Sequence, residues 1–387
     1  MLSVLLLAST LGVMGGAIVV PVLEVIRGDL GVSGTASGFI ITAHGLAIAL
    51  ASPLMGRLID RFGVRVPMVG GLVLYGIAGG AGVVITSFPA LIVSRLLFGV
   101  GAAAVFSGTT VALLSLYRGK ARDRVMGWRT TATSLGGLAW PLLGGALGGI
   151  SWHATFSIYL VGIPIAIAAI FTLPNTRADD AQRNNGGVIR LLRQRPKLFG
   201  FYGLMVSMAL LTYAMAVFLP QRLAEIGIRA PLLVSIYAVV GGAVMASLIG
   251  LVYAKLRERL GYAALLRIAA TAWMIGFLIY GTVSQPVVML IAPLLLGGAQ
   301  GILLPAITVL IDETAGPQLR AKAAALGGTA IFAGQFASPL ILGPLIDATT
   351  TTTGFLASAA FAAVVLIVLL VVRVSTPATA IPEPAVP

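Results

Sequence analysis

The feature that most constrains this chain is a recurrence of apolar runs, each about 20 residues long and so able to cross a hydrocarbon core of roughly 30 Å. The runs fall approximately at 2–25, 36–56, 66–86, 89–115, 125–149, 153–173, 199–220, 231–254, 263–283, 286–311, 322–346 and 354–373. A segment in lipid must satisfy its own backbone polar groups, which leaves helices or a closed barrel, and the short alternating pattern of barrel strands is absent. The expected fold is an all-α integral membrane bundle of 12 transmembrane helices. A mean hydropathy of +1.04 agrees. The first run starts almost at Met1 with no basic leader, so it reads as a retained helix rather than a cleaved signal peptide, and a start further upstream stays open. Cysteine is absent, which excludes disulfides, thiolate metal sites and thiol chemistry.

Charge is distributed by side. Of 25 Lys and Arg, 21 lie on loops that alternation of the runs places together: three at 57–65, five at 118–129, six at 177–197, four at 255–267, two at 320–322, and Arg373. The other side holds Arg27, Arg222 and Arg229, while Arg95 lies inside a run. Eight of the 12 acidic residues share the basic side, so the formal excess of +13 is carried there. The positive-inside rule then makes both termini cytoplasmic, in a cytoplasmic (inner) membrane. No aromatic platform interleaves with these bases, so anionic lipid headgroups, not nucleic acid, are the expected partner. A monomer is expected, with no cofactor or metal.

The segment Gly56-Arg-Leu-Ile-Asp-Arg-Phe-Gly-Val-Arg65 has a partial copy 198 residues later, where Asp60 becomes Glu258, Arg61 becomes Arg259 and Gly63 becomes Gly261. The same offset pairs Gly99 with Gly297, Arg122 with Arg320, Arg124 with Lys322 and Pro141 with Pro339. Helices 2–5 therefore echo helices 8–11, which predicts two parallel six-helix halves. The division is 1–173 and 199–374, with a cytoplasmic linker at 174–198 and a tail at 375–387. Within the linker, Val188–Lys197 could form a short basic interfacial helix.

These segments resemble the major facilitator superfamily, in its drug:proton antiporter-like branch. Gly56-x-Leu58-x-Asp60-Arg61-x-Gly63-x-Arg65 resembles the family's loop 2–3 signature, with Val64 where a base is common. Leu91-x-x-x-Arg95-x-x-x-Gly99-x-Gly101-Ala-Ala103 resembles its helix 4 signature. Gly136-x-x-x-Trp140-Pro141-x-x-Gly144-Gly145-x-Leu147 resembles the helix 5 signature of antiporters, with Trp140 replacing a glycine. The resemblance implies a secondary active transporter, not an enzyme, in which one half rocks against the other around a midplane site. Its expected activity is proton-coupled efflux of small lipophilic compounds or metabolites. Symport or uniport of a small organic solute such as an organic anion is the alternative, and a non-transporting membrane sensor a remote one.

The resemblance also assigns roles. Gly56, Asp60, Arg61, Gly63 and Arg65, with Glu258 and Arg259 as their echo, would latch the basic side, against a plain solvated loop. Arg95, a charge at membrane depth, would bind an anionic substrate or influence a proton site, against snorkelling to the interface. Gly99, Gly101, Gly136, Pro141, Gly144 and Gly145 are helix-packing positions, since small residues let backbones touch. Proton coupling needs a titratable group, and the candidates are Glu24 with Arg95, then His44, against an anchoring Glu24 and a core histidine. Tyr75, Tyr213, Tyr237, Gln300 and Gln335 are cavity candidates, each against an ordinary interhelical hydrogen bond. Trp140 either stacks on a ligand or simply packs. A wall with few charges suits a lipophilic or weakly polar substrate.

Overall fold

The computed structural model describes residues 1–174, 193–316 and 319–372, and these residues contain no strand. Ten helices among them are long and apolar enough to cross a membrane. They are α1 (Leu2–Leu30), α2 (Gly34–Phe62), α3 (Arg65–Val83) and α4 (Phe88–Leu116), then α6 (Trp152–Thr172), α7 (Lys197–Glu225), α8 (Pro231–Thr282), α9 (Pro286–Ala315), α10 (Lys322–Ala348) and α11 (Thr351–Val371). A further 30-residue helix, α5 (Gly119–Gly148), lies between α4 and α6. Its basic first turns and its Thr130, Thr131, Thr133, Ser134 stretch make it less apolar than the rest. Most of the expected linker, the first half of Val188–Lys197, Arg373 and the tail at 375–387 lie outside the described residues.

Turn chemistry explains where the helices stop. Ser33 caps α2 by accepting from Ala36 N at 3.2 Å. Gly63 ends the same helix at φ 80°, ψ 171°, a backbone region that only glycine enters freely. Gly261 takes the same conformation, φ 73°, ψ 168°, inside α8. It divides α8 into two limbs, as a straight 52-residue helix would run about 78 Å.

The 198-residue offset holds at the level of contacts. Gly99 passes so close to His44 that an added Cβ would lie 2.5 Å from its carbonyl oxygen, and Gly297 passes equally close to Gly242, 2.5 Å from its Cα. Pro141 O accepts from Ser235 Oγ at 2.9 Å where α5 meets α8. At the corresponding place α10 meets α2, and a Cβ on Gly38 would sit 2.6 Å from Pro339 Cβ. Contacts at this distance are possible only because one partner lacks a side chain.

Several hydrogen bonds join helices before residue 175 to helices after 192 toward one end of the bundle. They are Ser235 Oγ to Pro141 O, Gln335 Nε2 to Ile41 O, and the Gly34 and Thr35 groups to Asp347. This is the end remote from the basic loops. At the basic end Leu54, Trp128 and Leu251 are exposed.

Candidate functional site

Between the two sets of helices lies a cavity of about 430 Å³, walled by α1, α2, α4, α7, α8, α9 and α10. The wall is apolar, from Val13, Ile41 and Phe106 on one side to Leu211, Phe277 and Phe332 on the other. Gly12 and Gly16 on α1, and Gly242 and Gly297 across from them, keep the helices close while leaving space between. Polar side chains in the wall are few: His44, Thr212, Tyr213, Gln300, Gln335 and the Trp273 indole. No carboxylate, lysine or arginine is among the described lining residues.

His44 is 5% exposed and stands edge-on to Phe98, ring centroids 5.6 Å apart. Its Nδ1 has no hydrogen-bond partner, and its Nε2 faces Gly15, where a Cβ would lie 2.9 Å away. A turn earlier on α2, Ile41 O accepts from Gln335 Nε2 at 3.4 Å, a long contact that bridges to α10. Gln335 itself is packed against Gly45. On the far wall Thr212 Oγ1 donates to Gln300 Oε1 at 3.2 Å. The cavity wall thus presents one imidazole and two carboxamides, all uncharged or chargeable only at the ring. That set can orient a neutral or weakly polar ligand and offers no fixed counter-ion for a strong one.

The structure places the other candidates elsewhere. Arg95 is fully buried in α4, neither in the cavity nor at an interface. Its Nη2 donates to Gly79 O at 2.7 Å and to Ala78 O at 3.4 Å, carbonyls near the C-terminus of α3. The rings of Phe98, Phe156 and Tyr159 surround the guanidinium at 4.8–4.9 Å. Ala102 and Phe106, further along α4, do line the cavity. Tyr75 donates to Leu11 O at 2.9 Å inside the N-terminal helices, and Tyr237 donates to Pro286 O at 3.1 Å. Trp140, on α5 and absent from the cavity lining, is half-buried with Nε1 unpartnered. Glu24 pairs with Arg27 at 2.5 Å near the remote end of α1, outside the cavity.

The segment 56–65, expected as a loop, is the last turns of α2, a two-residue turn at Gly63 and Val64, and the start of α3, at the basic end. Asp60 is exposed, Arg61 lies 5.2 Å over the Phe62 ring, and Arg65 Nη2 donates to Ile170 O. Glu258 and Arg259 are exposed on α8 just before Gly261, and nothing lies within 4 Å of a Cβ at Gly56. Gly101 abuts Tyr75 N, Gly136 abuts Thr10, Gly144 abuts the Ile18 backbone and Gly145 abuts Pro231 and Leu232. Sequence reasoning passed over Gly12, Gly16, Thr212, Trp273 and Phe332. Only the first two left a signal, a small-residue pair spaced one helical turn apart.

Comparison with known proteins bears on this arrangement. A model of the Major Facilitator Superfamily matches residues 5–339 and, separately, 243–387. Multidrug resistance protein 1 of Bacillus subtilis is 27% identical over 184 residues, 48% of this chain and 47% of that protein. Multidrug efflux pump SdrM of Staphylococcus aureus is 30% identical over 167 residues, 43% of this chain and 36% of that protein. The matched region thus spans half or less of these relatives' length. Among solved structures, the nucleoside transporter NupG (D323A mutant) superposes with a TM-score of 0.79 at 14% identity, covering 95% of this chain and 98% of that one. A bacterial homologue of the human lysosomal transporter Spinster, in an inward-facing and occupied conformation, gives 0.79 at 15% identity, with 95% of each chain covered. At such identities the likeness concerns the fold.

Proposed function

We propose that this chain, which belongs to the major facilitator superfamily, is a secondary active transporter that exports small lipophilic compounds or metabolites in exchange for protons. The reading takes α5 as a transmembrane helix and the two limbs of α8 as two more, giving 12 in two parallel six-helix halves, 1–173 and 199–374. With the basic loops on the cytoplasmic side of an inner membrane, both termini are cytoplasmic and the cavity opens inward. The observation that carries the proposal is the cavity itself. It lies on the seam between repeats, with hydrogen bonds joining the two sides toward the remote end, and has an apolar wall without a fixed charge. A lipophilic solute gains from such a wall by burying its own apolar surface. The multidrug proteins of Bacillus and Staphylococcus support export over uptake.

His44 is the proposed proton carrier. It is the one described lining side chain whose ordinary pKa lies near neutrality, and its ring reaches the cavity from the seam. Glu24, already paired with Arg27, anchors the remote end of helix 1. Reconstituted protein, in proteoliposomes carrying an imposed pH gradient and a fluorescent lipophilic dye, tests both assignments. Dye should move against the proton flow, His44→Gln should remove the dependence on the gradient, and Glu24→Gln should keep it. Dye and protons moving together would favour symport. Gradient-driven exchange by the His44 variant would remove the carrier role.

A further inference from the structure

The remote end of the bundle is held shut by a contact between segments more than 300 residues apart. Asp347, in the last turn of α10, places its carboxylate on the N-terminus of α2. Oδ1 accepts from Gly34 N at 3.0 Å, and Oδ2 accepts from Thr35 N at 3.1 Å and from Thr35 Oγ1 at 2.5 Å. Gly34 and Thr35 are the first two residues of a 29-residue helix, whose leading N–H groups have no partner within the helix and carry the positive end of its dipole. Ser33 satisfies only Ala36 N. The other leading donors are met by a side chain from the opposite half. Gly343, one turn before Asp347, abuts Thr35 so closely that a Cβ there would be 2.9 Å from Thr35 Cα. The charges around this point come from both halves as well. Arg27, paired with Glu24, lies within electrostatic range of Asp347 and of Glu225, and Glu225 is held by Arg222 at 3.2 Å and by Thr351 Oγ1 at 2.6 Å.

We propose that Asp347 is the gate residue of the remote end, a carboxylate from the second half that caps helix α2 of the first and sets the balance between inward-open and outward-open states. The proposal rests on the alternating-access reading above. In the inward-open state the cap is complete. Outward opening must draw α10 away from α2, and the leading N–H groups then pass to water. A cap made of backbone donors and a charged acceptor is worth more than a neutral hydrogen bond, so its loss favours the outward-open state. Asp347 is partly exposed and far from the cavity, so it acts by positioning helices and does not touch the solute.

The natural absence of cysteine makes the test direct. Val84 and Val287 are exposed at the remote end, on the first and second halves respectively, at 79% and 68%. Gly127 and Leu251 are exposed near the basic end, on the first and second halves respectively. Spin labels on Val84→Cys/Val287→Cys and on Gly127→Cys/Leu251→Cys report the two ends by pulsed dipolar spectroscopy in liposomes. Asp347→Ala should lengthen the remote-end distance and shorten the basic-end distance together, raising the outward-open fraction by about tenfold. Asp347→Glu, which keeps the charge, should recover most of the wild-type distribution. Unchanged distributions in Asp347→Ala, while the wild type shifts on adding dye, would overturn the gate and leave alternating access standing. Broadening at both ends without opposite shifts would reduce Asp347 to a packing residue and overturn the gate also. A wild type with one fixed distribution at each end would overturn both readings.

Discussion

Arg95→Lys separates a structural from a transport role for the buried guanidinium. In the wild type Arg95 makes one strong charge-assisted bond, to Gly79 O at 2.7 Å, and a weaker one to Ala78 O at 3.4 Å. It also lies against three aromatic faces at 4.8–4.9 Å. The carbonyls belong to the last turn of α3, where a cation both satisfies orphan acceptors and complements the negative end of the dipole. On the debit side, Nε and Nη1 are buried without partners, so desolvation cancels part of the gain. Lysine keeps the charge and one bond. It gives up the planar face that three rings can share, and its ammonium is more strongly hydrated. Losing part of about 0.5–2 kcal/mol per ring contact, with one hydrogen bond weakened, predicts a net cost of about 2 kcal/mol. For a chain of this size that is a fall of about 2–3 °C in apparent Tm. The assay is thermal unfolding in detergent alongside dye transport per folded molecule. We expect lower stability with transport within about threefold of wild type, because Arg95 lies outside the cavity. A variant of wild-type Tm that fails to transport would refute this reasoning and return Arg95 to the transport cycle.

Two other substitutions test the geometry. Gly99→Val and Gly297→Val each drive a Cβ to 2.5 Å from the backbone of the crossing helix, at His44 and Gly242, so the helix pairs must separate. Each should cost about 1–3 kcal/mol in thermal stability, and a neutral result at either would mean that the crossings are looser than described. Asp60→Asn should leave stability within about 0.5 kcal/mol, since the side chain is exposed, yet slow transport severalfold if the loop closes the basic end. Normal transport by that variant would remove the latch.

The helices were legible because lipid leaves a chain no alternative, and the 198-residue echo was legible because it preserved glycines and prolines at crossing points. Gly63 and Gly261 share one backbone conformation, and Gly99 and Gly297 share one kind of neighbour, since a missing side chain is required at each place. The site was less legible. Arg95 attracted attention as a charge at membrane depth, a signal that cannot distinguish a cavity from an aromatic cage. Thr212, Phe332 and Trp273 left no signal, because a residue lining an apolar cavity has the same composition as one facing lipid. The continuation of α7 to Glu225 likewise could not be read from hydropathy. Arg222 ends an apolar run and reads as a loop residue, yet it is 9% exposed inside the helix, bonded to Tyr280 O, Val283 O and Ser284 Oγ.

The repeat conserves shape and abandons chemistry, and that difference bears on how the remote end opens. Two seams close it, α5 on α8 and α10 on α2, related by the 198-residue offset. At the first, Pro141 O accepts one neutral bond from Ser235, and Gly144, Gly145 and Gly148 supply contact without charge. At the second, Pro339 packs directly against Gly38, but Asp347 adds a carboxylate, whereas its counterpart Gly149 has no side chain at all. The two pairs of nearby charges are also exchanged in sign: Glu24 and Arg27 in the first half correspond to Arg222 and Glu225 in the second. Parting the first seam breaks one neutral hydrogen bond, about 0.5–1.5 kcal/mol. Parting the second uncaps a helix from a charged acceptor. Closure strength is therefore unequal around the rim, and Ser235→Ala should shift the inward-outward balance less than Asp347→Ala does. Equal shifts would mean that the seams yield together on packing alone, with the carboxylate contributing no more than a hydroxyl.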